Sequence, residues 1–209
     1  MADESSLKRP DMILVADYKE RFIWFEGGNL LTSSLAAGIV SILNKLNKLS
    51  NESIFFYISG IGGDVLAFLK IANAIEKMKS PVIFVAFNLV RSGCFTITQC
   101  GKTCFAVAGT KLIFHRAVHS WSGDIYMSQK DYLSCLRNLM LIDAVQFMIF
   151  SKRGSPIKTL LGLFEKETTL SVEKAIGLNL VAGVYEKKDF YKHKRIAKKL
   201  IQKKYKITV

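Results

Sequence analysis

Ile54-Phe55-Phe56-Tyr57-Ile58-Ser59-Gly60-Ile61-Gly62-Gly63-Asp64-Val65 is the stretch whose reading decides the fold. Its first five residues are all apolar, which suits a strand covered on both faces, as in a parallel sheet. The glycines that follow suit a tight turn, and they also leave backbone N–H groups open to a ligand. Asp64 is placed to cap a helix in which Val65, Phe68, Leu69, Ala72, Ile75 and Met78 recur at helical spacing.

The same grammar repeats on either side. Upstream, Phe22-Ile23-Trp24-Phe25 reads as a strand ending at Gly27-Gly28, and Thr32-Ser33-Ser34 caps a helix expected over 35–49. Downstream, Val82-Ile83-Phe84-Val85-Ala86 reads as a strand, Ser92 opens a helix to Gln99, and Gly101 stops it. Two short strands, 104–107 and 112–114, flank Gly109. A long helix fits 128–152 and ends at Arg153-Gly154-Ser155-Pro156. A short helix starts at Leu170-Ser171-Val172-Glu173, and 181–185 reads as a last strand. Strands alternating with helices predict an α/β fold with crossover connections and a mostly parallel sheet. Residues 1–20 read as a leader, with Pro10 closing its polar part. Residues 187–209 read as a basic C-terminal tail, helical and solvated.

Composition narrows the classes. Half of the 209 residues are apolar, which suits a folded domain with a sizeable core. No uninterrupted apolar run reaches the roughly 18 residues of a spanning helix, so no membrane span is expected. Met1–Pro10 has no apolar signal region. The four cysteines, at 94, 100, 104 and 135, form no C-x-x-C pair, which fits reduced thiols in a cytoplasmic compartment. Of the net charge of +13, +9 falls in 187–209, leaving a nearly balanced domain. A solvated terminal helix accounts for this better than a nucleic-acid partner does.

Three segments carry chemistry. Ser92 follows a strand and precedes a helix. A serine there is ordinarily only a cap, but Gly93 permits a sharp turn and exposes the next N–H. Gly62-Gly63 supplies a second backbone donor. His115 ends an apolar strand, where a parallel neighbour brings it beside Ser92. Nucleophile, base and paired N–H donors are what acyl transfer requires. His119 makes an H-x-x-x-H pair with His115, but without an adjacent Glu or a third ligand this is not a metal site. No Gly-x-x-x-x-Gly-Lys-Ser/Thr loop is present, so neither nucleotide nor metal cofactor is expected on this chain.

The order strand–(x-Gly-Gly)–helix, strand–Ser–helix, strand–His, long helix resembles the proteolytic subunit of the Clp protease over residues 21–185. That family carries a Ser-Pro-Gly-Gly turn where this chain has Gly60-Ile61-Gly62-Gly63. Ser92 and Gly101 keep the family's spacing from nucleophile to helix-ending glycine. His115-Arg116-Ala117 is similar to its His-Gln-Pro, and Ser122-Gly123-Asp124 with the helix from 128 to its glycine-rich stretch and handle helix. Leu170-Ser171-Val172-Glu173-Lys174-Ala175 through Leu180-Val181-Ala182 resembles the closing segment. Glu165-Lys166-Glu167 resembles the Glu-Arg-Asp that completes the triad, which makes Glu167 the expected orienting carboxylate and Glu165 its fallback. A Glu can hold the imidazole tautomer as an Asp does. The departures are Ile61 for the turn proline, Arg91 for a small residue, Ala117 for proline, and Lys166 for an arginine whose fork lysine cannot reproduce.

The resemblance implies a Clp/crotonase-like α/β fold with repeated β-β-α units and a protruding handle helix, occupying a peptidase domain over 21–186. It implies a serine endopeptidase: Ser92 attacks, His115 shuttles the proton, and Gly62 and Gly93 N–H groups hold the oxyanion. The substrate would be a peptide or unfolded protein. The assembly would be stacked homo-oligomeric rings, or a hetero-ring with a paralogue, served by a separate ATP-dependent unfoldase. Two alternatives stand beside it: a non-catalytic ring subunit, and a crotonase-type acyl-CoA enzyme, which needs no Ser-His pair.

Overall fold

The strands are built where β-branched and aromatic residues alternate across two covered faces. The computed structural model describes residues 11–118 and 128–205. Seven strands form one sheet: β1 (Met12–Asp17), β2 (Phe22–Gly27), β3 (Ile54–Gly60), β4 (Val82–Arg91), β5 (Thr103–Ala106), β6 (Lys111–Phe114) and β7 (Thr168–Leu170). Their order is β1-β2-β3-β4-β6-β7, with β5 also on β4. The β2–β3, β3–β4, β4–β5 and β4–β6 pairings are parallel, while the edge strands β1 and β7 run antiparallel. The sheet is mostly parallel and the chain is α/β, as its alternating pattern predicts.

One face, with Ile23, Phe25, Phe56, Ile58, Phe84 and Ala86, packs under α1 (Ser33–Leu49), α2 (Val65–Glu76) and α3 (Gly93–Thr98). Thr32 Oγ1 accepts from Leu35 N at 3.3 Å to start α1. Asp64 Oδ1 accepts from Leu66 N at 2.9 Å to start α2, so Asp64 caps rather than reacts. The opposite face carries Phe22, Trp24, Tyr57, Val85 and Phe87. It is covered by Phe190, Ala197 and Ile201 of α7 (Lys187–Tyr205). The Trp24 ring lies 4.6 Å from Phe87 and 5.5 Å from Phe190. Each such buried aromatic contributes about 2–3 kcal/mol by area.

Several expectations are corrected here. Residues 12–17, read as leader, form an edge strand. The basic C-terminal segment is a docked helix, and His193 is buried rather than solvated: its Nδ1 lies 2.5 Å from Tyr57 Oη. Periodicity hid this, because one apolar position per turn of a lysine-rich helix suffices to seal an aromatic sheet face. Residues 181–185 contribute only an isolated bridge, Ala106 to Val184, not a strand. Two short elements went unread: α5 (Ile157–Phe164) and β7.

β4 is longer than its apolar run because it is bulged. Asn88 takes φ +55°, and the β3–β4 register jumps from Ile58↔Ala86 to Gly60↔Val90. The bulge splits β4. Its first half pairs with β5, and its second half, Leu89–Arg91, pairs with β6. That offset carries the strand end to the site.

The long helix α4 (Gln129–Ser151) buries only Gln146 and Phe150, leaving Tyr132, Leu133, Leu136, Met140, Leu141 and Met148 exposed. By length and composition alone it could cross a membrane. Scattered charges at Arg137 and Asp143 interrupt its apolar run. Its polar groups are nevertheless used by the domain. Thr96 Oγ1 donates to Gln146 Oε1 at 3.1 Å, and Asp143 holds the segment after β6. His119 and Ser122-Gly123-Asp124 lie outside the described residues.

Candidate active site

Ser92 stands one residue beyond β4 with φ +54° and ψ −131°, a backbone that side chains other than glycine adopt only under strain. It precedes α3 but makes no side-chain cap, so its hydroxyl is not spent on the helix. Its N–H donates to Ile113 O at 2.9 Å. That bond continues the Arg91↔Ile113 register and sets Ser92 two residues from His115 on the neighbouring strand.

The glycine turn lies directly against the serine. Gly62 takes φ +87°, and a Cβ there would fall 2.6 Å from Ser92 Cβ and 2.9 Å from Gly93 N. Gly62 O accepts from Leu31 N at 2.7 Å, and Asp64 N donates to Leu31 O at 2.9 Å. These bonds pin the turn without the proline it lacks. Gly93, at the first position of α3, is buried against Phe68. The two expected oxyanion donors therefore belong to adjoining backbones. Cys94 shares this corner: burial pushes its thiol up to about 12, with the Gly62 N–H pulling the other way. A thiol so enclosed is not a nucleophile.

His115 is half-buried, and its Nδ1 lies 2.6 Å from Arg116 O. No hydrogen bond joins it to Ser92 or to Glu167 among the described residues. The β6–β7 ladder ends at Phe114↔Thr168, and His115 and Glu167 are the residues that flank that last pair in the chain. The Glu167 carboxylate is taken up instead by Arg91, with Nη2 to Oε2 at 2.6 Å. Glu165 caps the end of α5 and lines a separate cavity of about 320 Å³ beside Arg116 and Asp143.

Sequence reasoning missed Asp143. Its two oxygens accept from Ala117 N at 2.6 Å and Arg116 Nε at 2.8 Å, tying the segment after His115 to α4. The available signal was that Asp143 is the single charge between Arg137 and Lys152 on an apolar helix.

A bulged parallel sheet that ends in a strained serine, beside a glycine turn and next to a histidine-bearing strand, defines an α/β protein of the Clp/crotonase-like type. The family model described as Clp protease matches residues 8–188, and the chain belongs to that family. It is 28% identical over 131 residues to an "ATP-dependent Clp protease proteolytic subunit" of Bigelowiella natans, covering 60% of this chain and 66% of that protein. It is 25% identical over 164 residues to "ATP-dependent Clp protease proteolytic subunit 2" of Treponema pallidum (strain Nichols), covering 76% of this chain and 79% of that protein. The matched stretch thus spans just under two thirds of the first relative's length.

Proposed function

We propose that this chain is a serine endopeptidase acting on peptides or unfolded polypeptides. The observation that carries this reading is Ser92: a strained, uncapped serine whose backbone is bonded to the strand just before His115, with Gly62 packed against it. Ser92 Oγ attacks the peptide carbonyl while His115 takes its proton. The Gly62 and Gly93 N–H groups hold the oxyanion, His115 protonates the leaving amine, and water releases the acyl group. Glu167, next in the chain to the Phe114↔Thr168 pair, is the orienting carboxylate in this reading; Glu165 is its fallback. The reaction needs no metal or nucleotide from this chain.

The exposed apolar side of α4 favours burial against neighbouring copies, in stacked rings or a hetero-ring with a paralogue. ATP dependence stands in the names of both relatives. With no phosphate loop in this sequence, we assign any such dependence to a separate unfoldase in the cytoplasm. A second reading, a non-catalytic ring subunit, is favoured by one observation: His115 and Glu167 are each engaged with other partners. The crotonase alternative gives no role to Ser92 and His115.

Labelling by a fluorophosphonate tests the proposal. The full-length protein should label, and Ser92→Ala should not. Absence of labelling, with peptide turnover appearing only after mixing with a catalytic paralogue, would establish the non-catalytic reading instead.

A further inference from the structure

We infer that Arg91 is a positioning residue that restrains Glu167 from His115, so that the site described here is latched. The inference rests on the peptidase reading and concerns the regulation of that same site. Two strand registers make the geometry. The β4–β6 pairing sets Arg91 against Ile113, and the β6–β7 pairing sets Phe114 against Thr168. That last pair of the β6–β7 ladder is flanked in the chain by His115 after Phe114 and by Glu167 before Thr168.

The ladder's end thus carries the histidine and the carboxylate on adjoining segments, and a side chain holds the carboxylate. Glu167 Oε2 lies 2.6 Å from Arg91 Nη2, while His115 Nδ1 faces Arg116 O at 2.6 Å. A neutral imidazole has one ring N–H to give, and the base role needs Nε2 free, so Nδ1–H goes either to the Arg116 carbonyl or to Glu167. Only the second acceptor is charged, and only it stabilises the imidazolium that forms as Ser92 attacks.

The latch is built to open. The Arg91 and Glu167 side chains are 39% and 52% exposed, so the pair is screened and weak. Arg91 Nε is enclosed with no hydrogen-bond partner among the described residues, so the guanidinium is not fully satisfied where it lies. Arg116, the other cation nearby, is held by Asp143 at 2.8 Å and does not compete for Glu167.

The test compares Arg91→Ala, Arg91→Lys, Glu167→Gln and the Arg91→Ala/Glu167→Gln pair in the full chain. The readouts are the rate of fluorophosphonate labelling at Ser92, and kcat and KM on a short peptide. An exposed pair of this kind holds back about two- to fivefold. Arg91→Ala should raise labelling rate and kcat by that factor with KM unchanged. Arg91→Lys, which keeps the charge without the fork, should fall between it and the parent, and keeps the test open if the alanine variant misfolds. The double variant should match Glu167→Gln alone. Ser92-dependent labelling that does not accelerate in Arg91→Ala overturns the latch and leaves the peptidase reading standing. Acceleration that survives in the double variant also overturns it, since the arginine charge would then act directly. No Ser92-dependent labelling in any of the four proteins overturns the peptidase reading and the latch with it.

Discussion

Replacing Gly62 by alanine separates the oxyanion role of the turn from its role in folding. Two costs are legible in the structure. The first is conformational: at φ +87° a side chain other than glycine's meets about 1–2 kcal/mol of backbone strain. The second is a collision. The new Cβ would lie 2.6 Å from Ser92 Cβ and 2.9 Å from both Arg91 O and Gly93 N, where carbon contacts normally sit near 3.5–4.0 Å. None of those atoms is the end of a flexible side chain, so turn and serine must part by about 1 Å. A displacement of that size at reacting groups costs about 10²-fold, and loss of one oxyanion donor costs about 10²–10³-fold. Gly109 provides the control. Its φ is +80°, but a Cβ there meets nothing within 4 Å. Gly109→Ala therefore carries the conformational cost alone, a fall in Tm of a few degrees for a chain this size, with its labelling rate kept. Gly62→Ala should show at least that fall and a labelling rate down by about a hundredfold or more. The assay pairs fluorophosphonate kinetics with thermal melts of both variants. If Gly62→Ala labels within about threefold of the parent protein, the Gly62 N–H is not an oxyanion donor and the proposed hole is wrong.

Two further outcomes follow from strained and buried groups. Ser92→Gly should abolish labelling yet raise stability by about 1 kcal/mol, a gain of about 2–4 °C in Tm, because glycine relieves the φ +54°, ψ −131° backbone; Ser92→Ala, which keeps the strain, should show no such gain. His193 gives a pH dependence. Burial holds its pKa below the ordinary 6.5, helped by Lys192 and opposed by Glu20, Asp189 and Asp17. The unfolded chain therefore binds the proton more readily than the folded one, so stability is full above about pH 7 and falls as pH drops through 6.5 toward the folded-state value. Thermal melts between pH 7.5 and 5 should show this loss, and His193→Phe should flatten that part of the profile; an unchanged slope would mean that the docking of α7 is not linked to His193.

What was legible in the sequence follows local physics. The strands 22–25, 54–58 and 82–86 and the caps at Thr32 and Asp64 could be read because each depends on a few consecutive residues. Ser92 and Gly62 could be singled out for the same reason: a serine after a strand and paired glycines are local signals. What escaped depends on partners far apart in the chain. β1 forms only because Met12–Asp17 finds the edge of β2, and β7 only because Thr168–Leu170 finds β6. The bulge at Asn88 has no signature in an apolar run, yet it separates the half of β4 that pairs with β5 from the half, ending at Arg91, that pairs with β6. Arg91 stood out in the sequence only as an unexpected bulky residue beside the nucleophile, and its partner Glu167 as a member of a triad. Their pairing needed two registers, β4 on β6 and β6 on β7, to be known together. The β4–β6 register that bonds Ser92 to Ile113 also, with β6 on β7, places a cation within reach of the carboxylate that the histidine would use. Divergence at position 91 is therefore a change at the third member of the site as much as at the first. The Arg116 carbonyl holds His115 in this structure, and attack by Ser92 calls for the charged Glu167 in its place.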